Sequence, residues 1–231
     1  MARLKIFMGR DLDRVTDTDA VAVIGLGRFG QALALELMAS GVDVLGIDGQ
    51  QDVVQGLDGR LTHVVAADAT RGDVLRQLSV PEFDRVVVAI GGDVAASILT
   101  VSLLLSFDIP QIWAEAVSEP HGTVLQQLGV HHVIYPEKDM GRRVAHLVQG
   151  SMQDYIPLGG DFAVVETSPR RAVAGSAISE AQTRRRFGVE IVAIRKNGGG
   201  WLFADPDMHI EEGDELLIAG PTRKAEAFSR L

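Results

Sequence analysis

Val21-Ala22-Val23-Ile24-Gly25-Leu26-Gly27-Arg28-Phe29-Gly30 decides how the rest of the chain is read. Four apolar residues in succession suit a buried strand, and the apolar positions after the last glycine, Leu33, Leu37 and Met38, recur at helical spacing. The Gly-x-Gly-x-x-Gly between them therefore joins a strand to a helix. Glycines also serve ordinary packing, so the pattern alone says little. Here Gly41 stops the helix, Val42 to Ile47 form a second apolar strand, and Asp48 stands at its carboxyl end. That context is the dinucleotide fingerprint: Gly25 permits the tight turn, Gly27 lets the backbone approach a pyrophosphate, and Gly30 lets helix and strand pack closely. The helix N-terminus offers N–H donors and a positive dipole to phosphates, while Asp48 would accept ribose hydroxyls and disfavour a 2′-phosphate.

Working outward, further strands are expected at Thr62–Ala66, Arg85–Ile90, Gln111–Ala114 and His132–Ile134, with helices at about 71–78, 93–106, 118–128 and 138–150. Mostly continuous Val/Ile/Ala strands alternating with helices predict an α/β fold, a Rossmann-like doubly wound parallel sheet of six strands, over residues 18–150. The alternation then breaks. A strand at Phe162–Glu166, a helix near Ile178–Phe187, and a strand at Glu190–Arg195 lead to a hairpin turn at Asn197-Gly198-Gly199-Gly200. Trp201-Leu202-Phe203, a strand at Glu215–Ala219 and a short terminal helix complete a small α+β domain over 156–231.

Composition narrows the function. With 231 residues, 46% hydrophobic and 23% charged, the chain can bury a sizeable core, and its net charge of −9 argues against nucleic acid as a partner. The absence of cysteine excludes disulfides, zinc-thiolate sites and Cys nucleophiles. The opening MARLKIFMGR lacks the apolar core of a signal peptide, and no run of apolar residues is long enough to span a bilayer. A cytoplasmic protein is expected, meeting a membrane only through a partner.

The predicted nucleotide contacts are Gly25, Gly27, Arg28, Phe29 and Gly30 on the turn, Asp48 on the second strand, Asp68, Ala69 and Thr70 after the third, and Ile90 and Gly91 after the fourth. Arg28 suits extra phosphate charge; a solvent-facing arginine is the plainer reading. Asp68 could accept from an adenine amino group or could cap a helix. Gly91-Gly92 permits close backbone approach, as would a plain turn. His131 and His132, adjacent in a strand, point to opposite faces and make a poor metal pair. The run Arg184-Arg185-Arg186 reads as a solvated helix face. The second domain supplies no acid or base to place beside a nicotinamide, which points to a non-enzymatic sensor. An NAD-dependent oxidoreductase or a soluble redox sensor is the alternative.

Several motifs resemble those of the regulatory subunits of Ktr/Trk-type potassium uptake systems, which carry RCK (regulator of potassium conductance) domains. They are Val23-Ile24-Gly25-Leu26-Gly27-Arg28-Phe29-Gly30, Val44-Leu45-Gly46-Ile47-Asp48, Val88-Ala89-Ile90-Gly91, Asp108-Ile109-Pro110-Gln111-Ile112-Trp113 and Tyr135-Pro136-Glu137-Lys138-Asp139-Met140-Gly141. The last is the most specific, since a generic Rossmann domain has no reason to carry it. The resemblance implies an N-terminal RCK domain that binds ATP, ADP or NAD(H), a smaller C-terminal RCK domain, and dimers assembled into an octameric ring beneath a membrane potassium channel. It implies Arg28 at the terminal phosphates, Asp48 at the ribose, and Glu137 at a cation near the phosphates, whether Mg2+, Ca2+ or Na+. Asp68 stands where the Ktr-type pattern has Asn and Trk-type relatives have Asp, which leaves ATP and NAD both open. In some members the C-terminal domain binds cyclic di-AMP; the matching positions lie in Arg170-Arg171-Ala172-Val173 and at Ile178, with Arg171 and Ile178 as the contacts.

Overall fold

The computed structural model describes residues 20–149, 152–169 and 171–231. Residues 18, 19 and 150, at the expected bounds of the first domain, and Arg170 lie outside the described residues. The chain divides into two compact units between Glu137 and Lys138.

The first unit begins with β1 (Val21–Ile24), α1 (Arg28–Ala39), β2 (Val44–Asp48), α2 (Gln51–Leu57), β3 (His63–Ala66) and α3 (Gly72–Gln77). It continues through β4 (Arg85–Val88), α4 (Val94–Ser106), β5 (Gln111–Glu115), α5 (Glu119–Leu128) and β6 (His132–Ile134). The six strands are parallel, in the order β3-β2-β1-β4-β5-β6. Alternation along β1 shows why its run is continuously apolar. Ala22 and Ile24 join a core with Leu75, Val101, Leu104 and Leu125 on one face, whereas Val21 and Val23 join Ala34, Leu37 and Leu57 on the other. The strand order reverses between β1 and β4, which opens a crevice at the carboxyl ends of these strands.

Two local expectations change. The short α2, with only Val54 and Leu57 buried, was not anticipated between the second and third strands. The fourth strand ends at Val88 and not Ile90: Ala89 N–H still donates to the Ile24 carbonyl at 2.7 Å, but the chain then turns through Ile90 and the glycines.

The last helix of the Rossmann pattern, α6 (Pro136–Gln149), lies almost wholly in the second unit, although the first domain was expected to run to residue 150. Its side chains explain this. Leu147 packs on the second core, Arg143 makes a bidentate pair with Asp154 at 2.7 Å, and His146 Nδ1 lies 2.6 Å from Glu226. The second unit then holds β7 (Met152–Pro157), β8 (Phe162–Thr167), α7 (Ile178–Ala181), α8 (Thr183–Phe187), β9 (Glu190–Arg195), β10 (Trp201–Phe203), β11 (Glu215–Pro221) and α9 (Thr222–Ser229). Its sheet is antiparallel, ordered β10-β9-β11-β8-β7, over a core of Val165, Ile194, Leu216, Ile218 and Phe228. β7 was not expected; a register shift between Met152 and Asp154 interrupts the alternation that would have revealed it. The single helix expected near 178–187 is two, broken at Gln182, whose φ is 45°.

Candidate functional site

The carboxyl ends of β1 to β4 enclose an open cleft of about 580 Å³. Gly25, Gly27, Asp48, Asp68, Ala69, Thr70, Ile90 and Gly91 are on its wall. The three glycines of the turn do different work. Gly25 has φ +91°, and a methyl group on it would lie 2.5 Å from the Ala89 carbonyl oxygen. A methyl on Gly30 would overlap the Gly25 carbonyl oxygen, so this glycine lets α1 close against the turn. Gly27 differs: a methyl there meets no protein atom within 4 Å. The space its missing side chain leaves belongs to the cleft.

Gly27 is also the N-cap of α1, and no side chain caps that helix, nor does an acidic residue sit in its first turn. By contrast Asp93 caps α4 by accepting from Ala96 N–H at 2.9 Å, and Ser118 caps α5. The N-terminus of α1 is left with donors and partial positive charge directed at whatever occupies the cleft. Asp48 fixes this arrangement. Its Oδ2 accepts from Leu26 N–H at 2.7 Å and its Oδ1 from Gln50 N–H at 2.8 Å. Each oxygen retains capacity for a further hydrogen bond, so the carboxylate can hold the turn and still accept from hydroxyls.

Asp68 is exposed and accepts from both the N–H and the hydroxyl of Thr70, at 2.9 and 2.6 Å; these bonds hold its carboxyl below the usual carboxylate range. It braces the loop before α3 and caps no helix, since the N-cap position falls to Arg71. Arg28, the first residue of α1, and Glu137, in the first turn of α6, are exposed and not on the cleft wall. Phe29 lines a separate apolar pocket of about 250 Å³ with Leu33, Val87 and Trp113.

One residue that sequence reasoning passed over is Glu115, at the carboxyl end of β5. It is 4% exposed. Burial pushes its carboxyl up, and the neighbouring Glu137 carboxylate adds to this. A methyl group on Gly91 would lie 3.1 Å from Glu115 Oε1. The available signal was positional: Glu115 ends an apolar strand, as Asp48 does on β2.

In the second unit Ile178 lines a cleft of about 550 Å³ with Thr183, Arg184, Arg185 and Pro206. Arg171 is exposed and not on it, so the structure does not bring Arg171 and Ile178 together there. His131 Nδ1 accepts from Ile112 N–H at 3.1 Å and His132 stacks on Trp113, with ring centroids 4.6 Å apart, so both have structural roles.

The TrkA-N domain family matches residues 21–136 and the TrkA-C domain family residues 160–231. The chain belongs to the TrkA family of potassium uptake proteins. It is 37% identical to Ktr system potassium uptake protein A of Bacillus subtilis over 90% of this chain and 94% of that one. It is 34% identical to the protein of the same description from Vibrio alginolyticus, over 88% and 93%. Among solved structures, the GsuK RCK domain superposes with a TM-score of 0.63 at 18% identity, covering 90% of this chain and 47% of that longer one. At that identity the likeness shows a shared RCK-type fold. In this TrkA-family chain the TrkA-N match stops beside the division between the units, and the whole cleft lies within it. Among the described residues, no helix is long and apolar enough to cross a membrane.

Proposed function

We propose that this chain is a nucleotide-sensing regulatory subunit of a membrane potassium transporter, with an adenine nucleotide held in the cleft of the first unit. The observation that carries this reading is the uncapped N-terminus of α1 opening on the cleft through a glycine whose side-chain space is empty. A diphosphate placed there receives backbone N–H donors and the helix dipole. Asp48 takes the adenosine ribose, and Asp68, Ala69, Thr70 and Ile90 bound the base side. Arg28, at the first position of α1, is the cation supplied by the turn itself. Glu137 would face the phosphates only through a cation such as Mg2+, Ca2+ or Na+, since two like charges repel. Gly30 and Phe29 act indirectly, through packing.

The family supports the potassium-transport half: its members named above are potassium uptake proteins. Regulation requires that bound nucleotides differ in affinity for two states of the assembly, because a ligand binding both equally shifts neither. A dimer-based ring, an octamer in the form the resemblance implies, would supply those states at the inner face of the membrane. The oxidoreductase alternative needs a proton donor beside a nicotinamide, and the described wall of the cleft carries no histidine, lysine or tyrosine. The test is calorimetric titration of the purified chain with ADP, ATP, NADH and cyclic di-AMP. One adenine nucleotide per chain, without turnover, is expected. No binding by ADP, ATP or NADH contradicts the reading, and binding of cyclic di-AMP separates the second-unit site from the first.

A further inference from the structure

The inference concerns what keeps the glycine turn in one shape, and it rests on the nucleotide reading above. Glycine at position 27 leaves room for phosphate, but it also removes the Cβ that would hold the preceding peptide in one orientation. Rotation at ψ of Leu26 and φ of Gly27 can flip the Leu26–Gly27 peptide, because glycine adopts positive φ about as readily as negative. In the flipped form the Leu26 carbonyl oxygen takes the place of the Gly27 N–H, and phosphates would meet an acceptor where they need a donor. Two side chains oppose the flip. Asp48 Oδ2 accepts from Leu26 N–H at 2.7 Å and so holds the peptide before Leu26. Gln31, in the first turn of α1, is half-buried and off the cleft wall. Its Nε2 donates to the Leu26 carbonyl at 2.8 Å and so holds the peptide after Leu26.

Peptide planarity gives these bonds a direction. The C=O and N–H of a trans peptide lie on opposite sides, so a Leu26 carbonyl aimed at Gln31 turns the Gly27 N–H away from it. Among the described residues no backbone or side-chain acceptor meets that N–H. The backbone of Gln31 adds to the effect: its N–H donates to the Gly27 carbonyl at 2.9 Å. One residue therefore engages the carbonyls of both Leu26 and Gly27 from the helix side. A carbonyl oxygen only accepts, so the amide nitrogen of Gln31 must face it, and a side chain of the same length without a donor cannot replace this bond. We infer that Gln31 is a positioning residue: its side-chain amide locks the Leu26–Gly27 peptide so that the Gly27 N–H stays directed at the phosphates, without touching the nucleotide itself.

The experiment is equilibrium titration of the full chain with ADP and with adenosine, for wild type, Gln31→Met and Gln31→Asn. Methionine keeps the length and helix preference of glutamine and has no donor; asparagine keeps the amide but is one methylene short of Leu26. Adenosine occupies the same cleft without phosphates, so it reports damage to the cleft that does not pass through the turn. Loss of one hydrogen bond lowers the fraction of chains with the donor in place, so both variants should bind ADP about five-fold more weakly than wild type, with adenosine affinity within about two-fold. A purely structural role for Gln31 would leave the ADP-to-adenosine ratio where it is in wild type. ADP affinity within about two-fold of wild type in Gln31→Met, or equal losses of ADP and adenosine, each overturns the inference while leaving the nucleotide site standing. Should Gln31→Met fail to fold, Gln31→Asn alone decides by the same two ratios. Wild type that binds no ADP, or binds it no more tightly than adenosine, removes the phosphate site and the inference together.

Discussion

Gly27→Val separates ligand binding from folding more cleanly than any other change at the turn. Gly27 is extended, with φ −67° and ψ −169°, a conformation open to any L-residue, and its added carbons meet no protein atom within 4 Å at the Cβ position. The fold loses only the modest preference of an N-cap for glycine over an aliphatic residue, about 1 kcal/mol, which at this chain length shifts a melting temperature by about 2–4 °C. The ligand loses much more. The new side chain occupies the approach to the α1 N-terminus, and exclusion of a diphosphate from those donors should cost at least about 2.7 kcal/mol, or 100-fold in ADP affinity. Gly30→Ala is the opposite control. Its methyl overlaps the Gly25 carbonyl oxygen, a backbone atom that cannot swing aside, so about 3 kcal/mol or more of stability should be lost. Paired thermal melts and ADP calorimetry read both quantities. ADP binding by Gly27→Val within about three-fold of wild type would refute the phosphate site, as would a melting temperature that falls as far as that of Gly30→Ala.

Other outcomes follow from the same geometry. Asp48→Ala removes the acceptor for Leu26 N–H and should weaken ADP by about ten-fold or more while destabilising the turn, read by calorimetry and hydrogen exchange at Leu26. Arg28→Ala should cost Mg-ATP about ten-fold with little effect on ADP; an unchanged ATP/ADP ratio in Mg2+ excludes Arg28 from contact with the terminal phosphate. Light scattering of the intact protein should give a multiple of dimers, and a monomer at micromolar concentration contradicts the proposed assembly. In the second unit burial pushes Asp154 up, but its bonds from Arg143 and from Tyr155 N–H prevail and its carboxyl lies below the usual range. A depressed carboxylate stabilises above its unfolded value and loses that contribution as pH falls through the folded one. Arg143→Met should therefore cost about 1 kcal/mol at neutral pH in urea unfolding, with the difference from wild type shrinking progressively only as pH falls below the ordinary carboxylate value of about 4.

Much of the first unit was legible because its strands are buried on both faces and so spell themselves out as apolar runs. The glycine turn and Asp48 were legible because the backbone conformations and the acceptor they supply are tied to residue type. What escaped was structure whose signal is not local. The helix at Gln51–Leu57 buries two side chains and has no long periodicity to detect. The strand at Met152–Pro157 is bulged, which breaks its alternation. The unit boundary moved because α6 is held by Arg143, His146 and Leu147, whose partners Asp154 and Glu226 are visible only in three dimensions. Glu115 escaped for a related reason. Gly91, behind which it packs, is distant from it in sequence and near it only in the fold.

Nucleotide control of potassium movement is most directly tested by flux. Vesicles carrying the potassium transporter's membrane subunit should be loaded with the intact chain or with Gly27→Val, and potassium uptake followed after adding ADP, Mg-ATP or NADH. Uptake should depend on the chain and change between nucleotides, and Gly27→Val should give one rate whatever nucleotide is present. A flux that depends on the wild-type chain but is the same with every nucleotide and with none would contradict nucleotide control outright.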